Sequence, residues 1–269
     1  MDTTTKAIGG ITYSSYCTES RSGEQFIADH AVGYILSGSI TIIDGSQTLV
    51  FRDGDVVLFR RNHLAKFIKR PPSSGGELLV ISLLLDQPLL QGLAKGRSPH
   101  MTGLVSADAV LRIRPDELLQ RYLDALPAFA AQEISAELAG HKIQEFVLLL
   151  LRTQPELHKV LFDFGTPGKI DLEAFMQRNF RYNVPLEKLA FLTGRSLATF
   201  KRDFEKIFHC PPSRWLLEQR LKEAYYLMRE KSARPSEIYL DVGFESLSHF
   251  SHAFKRSYGV PPSRLAIAQ

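Results

Sequence analysis

Ser196-Leu-Ala-Thr-Phe-Lys-Arg-Asp-Phe-Glu-Lys-Ile-Phe-His-Cys-Pro-Pro-Ser-Arg214 decides how this chain is read. Fifty positions later the sequence runs Ser246-Leu-Ser-His-Phe-Ser-His-Ala-Phe-Lys-Arg-Ser-Tyr-Gly-Val-Pro-Pro-Ser-Arg264. Ser196, Leu197, Phe200, Phe204 and Pro211-Pro212-Ser213-Arg214 all return at that offset, and Glu187 returns as Glu237. A period of this length, repeated many times, marks a solenoid or a propeller. Two copies are too few for either, and the spacing within each copy is helical. The pattern predicts a duplicated helix-turn-helix.

In the first copy Pro185 suits a first helical turn, and Leu186, Leu189, Ala190 and Leu192 follow at helical spacing. Thr193-Gly194-Arg195 breaks that helix, glycine adopting a left-handed turn at little cost. Ser196 is a suitable N-cap for the next helix. Leu197, Phe200, Phe204, Ile207 and Phe208 then fall on one face and predict a core. Ala198, Thr199, Lys201, Arg202, Glu205 and Lys206 fall outside it. A short helix after a tight glycine turn, apolar on one side and small, polar or basic on the other, fits a recognition helix in a major groove. In the second copy Pro235–Val242 is the supporting helix, Gly243-Phe244-Glu245 the turn and Ser246 the cap. Leu247, Phe250 and Phe254 point inward; Ser248, His249 and His252 point outward, with Lys255 and Arg256 further along. A connecting helix spans Pro212 to about Glu230. A lone unit of this kind is as often a plain helical hairpin, but two copies with basic outward positions argue for DNA binding.

Residues 170–265 resemble the DNA-binding domain of the AraC/XylS transcription regulators. The resemblance rests on Val242-Gly243-Phe244, on Ser246, Phe250 and Phe254-Lys255-Arg256, and on Tyr258-Gly259-Val260-Pro261-Pro262-Ser263-Arg264. It implies that Ala198, Lys201 and Arg202 of one helix and Ser248, His249 and His252 of the other read bases. Cys210 is read as standing where the family usually has glycine, and His252 where a basic residue is common. The order of strands in the N-terminal half, with Gly38 before one strand and Gly54-Asp55-Val-Val-Leu-Phe59 after it, resembles the cupin-type barrel of the family's sensor half.

Charge is divided unevenly. Residues 169–269 hold 17 Lys and Arg against 11 Asp and Glu, a net of +6, while residues 1–168 hold 16 against 18, a net of −2. The excess sits where phosphate would bind. Only Cys17 and Cys210 are present, far apart in sequence, so thiols in a reducing cytoplasm are expected rather than a disulfide. The first residues carry no apolar signal core, and no apolar run approaches the length of a membrane span.

The first half reads as short strands: Ala31–Leu36, Ser39–Ile43, Thr48–Phe51, Val56–Phe59, Ala65–Ile68 and Leu78–Leu85, with Asp44-Gly45 and Asp53-Gly54 as hairpin-type turns. Helices follow at 115–126 and from Glu133 to Arg152, the second carrying Ile134, Leu138, Phe146, Val147, Leu149 and Leu150. This surface packs on its own domain or forms a dimer contact. His30 and His63 are 33 positions apart with no His-x-His, a poor basis for a metal site, and His63 reads as an exposed loop residue.

The expected fold is α+β in two domains. A cupin-like β-barrel at about 24–86 and helices at about 115–162 form residues 1–162. A linker covers 163–169, and an all-α double helix-turn-helix covers 170–269, its units at about 185–208 and 235–257. The expected function is that of a cytoplasmic, sequence-specific transcription regulator, an activator controlled through its N-terminal domain. It is not an enzyme, and no catalytic residues, metal or cofactor are expected. The resemblance implies double-stranded promoter DNA, RNA polymerase and a homodimeric copy as partners, together with an effector, small molecule or protein, that the sequence does not name. The DNA-binding residues are Ala198, Thr199, Lys201, Arg202, Lys206, Ser248, His249, His252, Lys255 and Arg256. The rival readings are a metal-dependent cupin enzyme with a helical appendage and a protein-interaction scaffold.

Overall fold

A computed structural model of the chain describes residues 3–21, 25–45, 47–95, 108–130, 132 and 134–267. The chain divides into two compact units, the first ending at Gly165 and the second beginning at Thr166. The division falls inside 163–169, but the first part of that segment is tied down. Arg61 Nη2 donates to the carbonyls of Asp163 (2.6 Å) and Gly165 (2.7 Å).

The first unit is rich in sheet. Its strands are β1 (Thr3–Ile8), β2 (Ile11–Tyr16), β3 (Phe26–Ile27), β4 (His30–Ser37), β5 (Ser39–Asp44), β6 (Gln47–Arg52), β7 (Val56–Phe59), β8 (His63–Leu64), β9 (Lys66–Arg70), β10 (Leu78–Leu85) and β11 (Val110–Ile113). Six make one antiparallel sheet, in the order β1-β2-β10-β4-β7-β11, and three make another, β6-β5-β9. β3 and β8 pair separately. Gly9 and Gly10, at φ 53° and 92°, form the two-residue turn that sets Ile8 against Ile11. Such turns need positive φ at both central positions, which favours glycine.

β4 and β10 have apolar residues on both faces because both faces of the large sheet are covered. Ile35, Val57, Leu78 and Val80 meet Ile40, Ile42 and Phe51 of the smaller sheet. Val32, Tyr34, Ile81 and Leu83 meet helices. The expected closed barrel is therefore a pair of sheets among the described residues, joined by side-chain packing rather than by a continuous ladder of hydrogen bonds. Asp53-Gly54 is correspondingly a crossover from β6 to β7 in the other sheet, not a hairpin turn. The chain makes the same step at Gly38, where φ is 87° and a Cβ would lie 2.6 Å from the Arg70 carbonyl.

The covering helices are α1 (Gln87–Ala94), α2 (Glu117–Ala130), α3 (Ala136–Thr153) and α4 (His158–Leu161). Asp116 Oδ1 caps α2 by accepting from Leu119 N, and Ser135 Oγ caps α3 by accepting from Leu138 N. Leu119, Leu123 and Leu126 on α2 and Ile143, Phe146, Val147 and Leu150 on α3 are buried together. Each such side chain contributes about 1.5–3 kcal/mol by leaving water. Most of the apolar face of α3 thus packs on its own unit. Leu149 is half-buried there, whereas Leu138 and Leu148 stay exposed. Glu133, where the sequence begins this helix, lies outside the described residues.

The second unit is helical: α5 (Leu172–Asn179), α6 (Leu186–Leu192), α7 (Leu197–Phe208), α8 (Pro212–Glu230), α9 (Pro235–Ile238), α10 (Leu247–Tyr258) and α11 (Pro262–Ile267). The supporting helix expected over 235–242 ends at Ile238. Turns continue it, with Val242 N donating to the Ile238 carbonyl and Phe244 N to that of Tyr239. Phe200, Phe204, Phe250 and Phe254 are fully buried. Leu197 is only half-buried, and Leu247 and Ile207 are 39% and 40% exposed, against the expectation of core. The two leucines lie in the first turn, ahead of the aromatic core. At the far end of α7 it is Phe208 that packs inward, its ring 4.6 Å from that of Trp215.

Candidate nucleic-acid interface

The same cap starts both exposed helices. Ser196 Oγ accepts from Thr199 N at 3.3 Å, and Ser246 Oγ accepts from His249 N at 3.2 Å. Caps of this type are worth about 1 kcal/mol each. The phenylalanines at the equivalent positions pin one face of each helix, with ring centroids 5.7 Å apart in both copies. The opposite face must then meet solvent. Ala198, Lys201, Arg202 and Lys206 are exposed on α7, and Ser248, His249, His252, Lys255 and Arg256 are exposed on α10. Thr199 is the exception. It is half-buried, and its hydroxyl accepts from Ser196 Oγ at 3.0 Å. Arg202 lies 3.7 Å from Asp203, a loose pair on a side chain 65% exposed.

Arg195 is a residue whose role the sequence does not reveal. Its side chain is 7% exposed and donates to Asp203 Oδ2 (3.2 Å), the Ile170 carbonyl (3.0 Å) and the Thr193 carbonyl (2.8 Å). Those bonds hold the turn against α7. The Arg195 hydrogen bond, aided by the charges of Lys169 and Arg202, keeps the Asp203 carboxyl below the ordinary carboxylate range. Gly194 is required in that turn. Its φ is 65°, and a Cβ would lie 2.3 Å from the Gly168 carbonyl carbon. At Gly243 (φ 99°) the crowding comes from the Arg181 carbonyl and Arg220 Nε, both at 2.8 Å. Arg220 is itself anchored to the Phe180 and Tyr182 carbonyls, and burial lowers its pKa to about 10.

The left-handed residue after α7 is His209, at φ 54°, whose N–H donates to the Glu205 carbonyl. Its counterpart is Gly259 at φ 76°. The departure from glycine therefore falls on His209 and not, as the sequence suggested, on Cys210.

In the first unit, His30 and His63 come near each other but are engaged by backbone. Arg61 N donates to His30 Nδ1 (3.3 Å), and His63 Nδ1 lies 2.8 Å from the Arg61 carbonyl. Burial, then the Arg61 charge, lowers the His30 pKa to about 4, so its ring is neutral near pH 7. His63 is half-buried in a short strand, not an exposed loop residue. No group of three or more His, Cys, Asp or Glu placed to hold a metal ion occurs among the described residues. A cavity of about 260 Å³ opens between the sheets. Tyr16, Phe59, Phe67 and Lys69 line it, with Lys69 Nζ donating to the Tyr16 hydroxyl at 2.7 Å. No helix among the described residues is long and apolar enough to cross a membrane.

Two family models match the chain: a helix-turn-helix domain over residues 189–266 and the ExsA N-terminal regulatory domain over residues 30–160. The HTH-type transcriptional regulator ExsA of Pseudomonas aeruginosa is 24% identical over 242 residues, covering 88% of this chain and 85% of that one. The virulence regulon transcriptional activator VirF of Yersinia enterocolitica is 29% identical over 240 residues, covering 87% and 88%. A crystal structure of apo ToxT K231A from Vibrio cholerae aligns over 96% of this chain and 97% of that one, at 14% identity and a TM-score of 0.48.

Proposed function

We propose, from the premise that the chain belongs to the AraC/XylS family of DNA-binding transcription regulators, that α7 and α10 enter successive major-groove faces of promoter DNA and read bases there. The observation that carries this reading is the pair of serine-capped helices, each seated on two buried phenylalanines with its polar and basic residues outward. Ala198, Lys201 and Arg202 read in the first helix, and Ser248, His249 and His252 in the second. Thr199, Lys206, Lys255 and Arg256 contact the phosphates on either side. The protein acts in the cytoplasm as an activator, in line with the likeness to VirF, and contacts RNA polymerase at the promoter.

The first unit is the regulatory half, a double-sheet domain of the cupin-like type, and residues 163–169 link it to the reader. Its effector is a small molecule in the cavity between the sheets or a protein on the surface. A homodimer contact runs over the exposed side of α3, through Leu138 and Leu148 rather than the half-buried Leu149. The family relationship favours this reading over that of a metal-dependent cupin enzyme.

Footprinting of the full chain on the genomic fragments it binds tests the proposal. Two protected blocks about one helical turn, or about 34 Å, apart are expected. A single block of about four base pairs contradicts the claim that both helices read DNA.

A further inference from the structure

We infer that Ser213 and Arg214, at the start of α8, hold the sugar-phosphate backbone of duplex DNA beside the bases that α10 faces. This inference rests on the reading of α10 as a recognition helix. Pro211-Pro212-Ser213-Arg214 is the longest contiguous match of the repeat, yet the outward faces of α7 and α10 leave it unused. Pro212 is buried and starts the helix, while Ser213 and Arg214 are exposed.

A groove of about 600 Å³ lies between this end of α8 and α10. Ser213, Arg214 and Glu218 line it from α8, and His249, His252 and Arg256 line it from α10. The α10 residues that line the groove belong to the exposed face already assigned to DNA, so the two surfaces are continuous. Two guanidinium groups against one carboxylate make the groove basic. A helix lying in the major groove has a phosphate strand along each side, and cations beside such a helix are placed to meet phosphate rather than bases.

Arg214 is held in a way that permits exchange. Its Nε donates to Glu218 Oε1 at 2.9 Å, one turn along the same helix, with the two side chains 72% and 43% exposed. A pair this open to solvent holds weakly. The terminal nitrogens carry the remaining N–H donors, and a phosphate accepts them in the same planar, two-point geometry as a carboxylate. Ser213 adds a hydroxyl donor. Glu218 opposes a phosphate in the groove, so it weakens binding at every sequence alike.

The test titrates the full chain with two labelled duplexes of equal length, the genomic fragment it binds best and a random sequence, over a series of salt concentrations. Arg214→Gln is expected to weaken both by the same factor, about three- to tenfold, and to flatten the slope of log K against log salt by about 0.9. Glu218→Gln is expected to tighten both. An Arg214→Gln chain that melts like the wild type and keeps its affinity and slope overturns the inference. A loss confined to the genomic fragment also overturns it, by moving Arg214 to base reading. Should Arg214→Gln disturb folding, Glu218→Gln decides, since unchanged affinity there means no phosphate lies beside it. A wild-type chain that binds neither duplex contradicts the DNA-binding reading itself and is distinguishable from all of these.

Discussion

At the turn of the first helix-turn-helix, Arg195 is buried and bonded to Asp203 and to two backbone carbonyls. At the same place in the second stands Glu245, exposed and accepting one hydrogen bond from Asn183. The second turn is instead held by Phe244, whose ring lies 5.2 Å from that of Phe250 and 5.4 Å from that of His249. The helix ends differ as well. Phe204 and Phe208 pack on Trp215 in the first copy, and Phe254 packs on Tyr258 and Tyr225 in the second. One sequence pattern has thus kept its buried phenylalanines and exchanged the supports around them. The geometry of the outward face depends on the seated helix, and either support can seat it.

The largest consequence is at Arg195. Arg195→Met removes hydrogen bonds to a carboxylate and to the turn, and is expected to cost about 2 kcal/mol in denaturant unfolding of the second unit. Glu245→Gln should cost less than about 0.5 kcal/mol, as an exposed polar change does. Equal losses would break the comparison. The Arg195 effect also carries a pH signature. Asp203 has a lowered pKa in the folded state, so the stability it contributes is present above the unfolded carboxylate value and is lost as pH falls through the lower folded one. The gap between Arg195→Met and wild type should therefore narrow below about pH 4 without vanishing, since the bonds to the Ile170 and Thr193 carbonyls do not titrate.

A smaller effect sharpens the contrast at the helix ends. His209 holds a left-handed conformation that costs a non-glycine residue about 1 kcal/mol. His209→Gly should stabilise the first copy by about 0.5–1 kcal/mol, less the entropy glycine adds to the unfolded chain. Gly259→Ala should destabilise the second by about 1 kcal/mol through backbone strain alone, since no atom lies within 4 Å of the added Cβ. Thermal melts of the two single variants check the opposite signs.

These pairs also mark what the sequence could and could not reveal. The spacing of Phe200, Phe204, Phe250 and Phe254 was enough to place α7 and α10, because helical period gives the angle of each side chain. It does not give depth, and so Leu247 and Ile207 were read as core when they lie at the core's ends. The left-handed residue after α7 is His209, one position before Cys210, where the resemblance put the departure from glycine. Asp53-Gly54 reads as a hairpin turn but carries the chain from one sheet to the other, because turn chemistry does not encode which sheet the next strand joins. The β1–β2 hairpin is hard to read from sequence because Thr3–Ile8 and Ile11–Tyr16 are rich in Thr and Ser and take their place through the pairing of β2 along β10, with β1 outside it. Its one available signal was Gly9-Gly10. Arg195 gave none, since the partner Asp203 lies eight residues on and on another element.

The central claim is that the outward faces of these two differently supported helices read base sequence. It is tested most directly at Arg202, which is exposed opposite Phe200 and Phe204. Binding of Arg202→Ala and Lys206→Ala should be measured on the chain's best genomic site and on a random duplex at one salt concentration. Arg202→Ala should lose about 1–3 kcal/mol more on the genomic site than on the random duplex, the worth of a two-point contact to a base. Lys206→Ala should lose equally on both. An Arg202→Ala chain that weakens equally on the two duplexes would contradict base reading by α7.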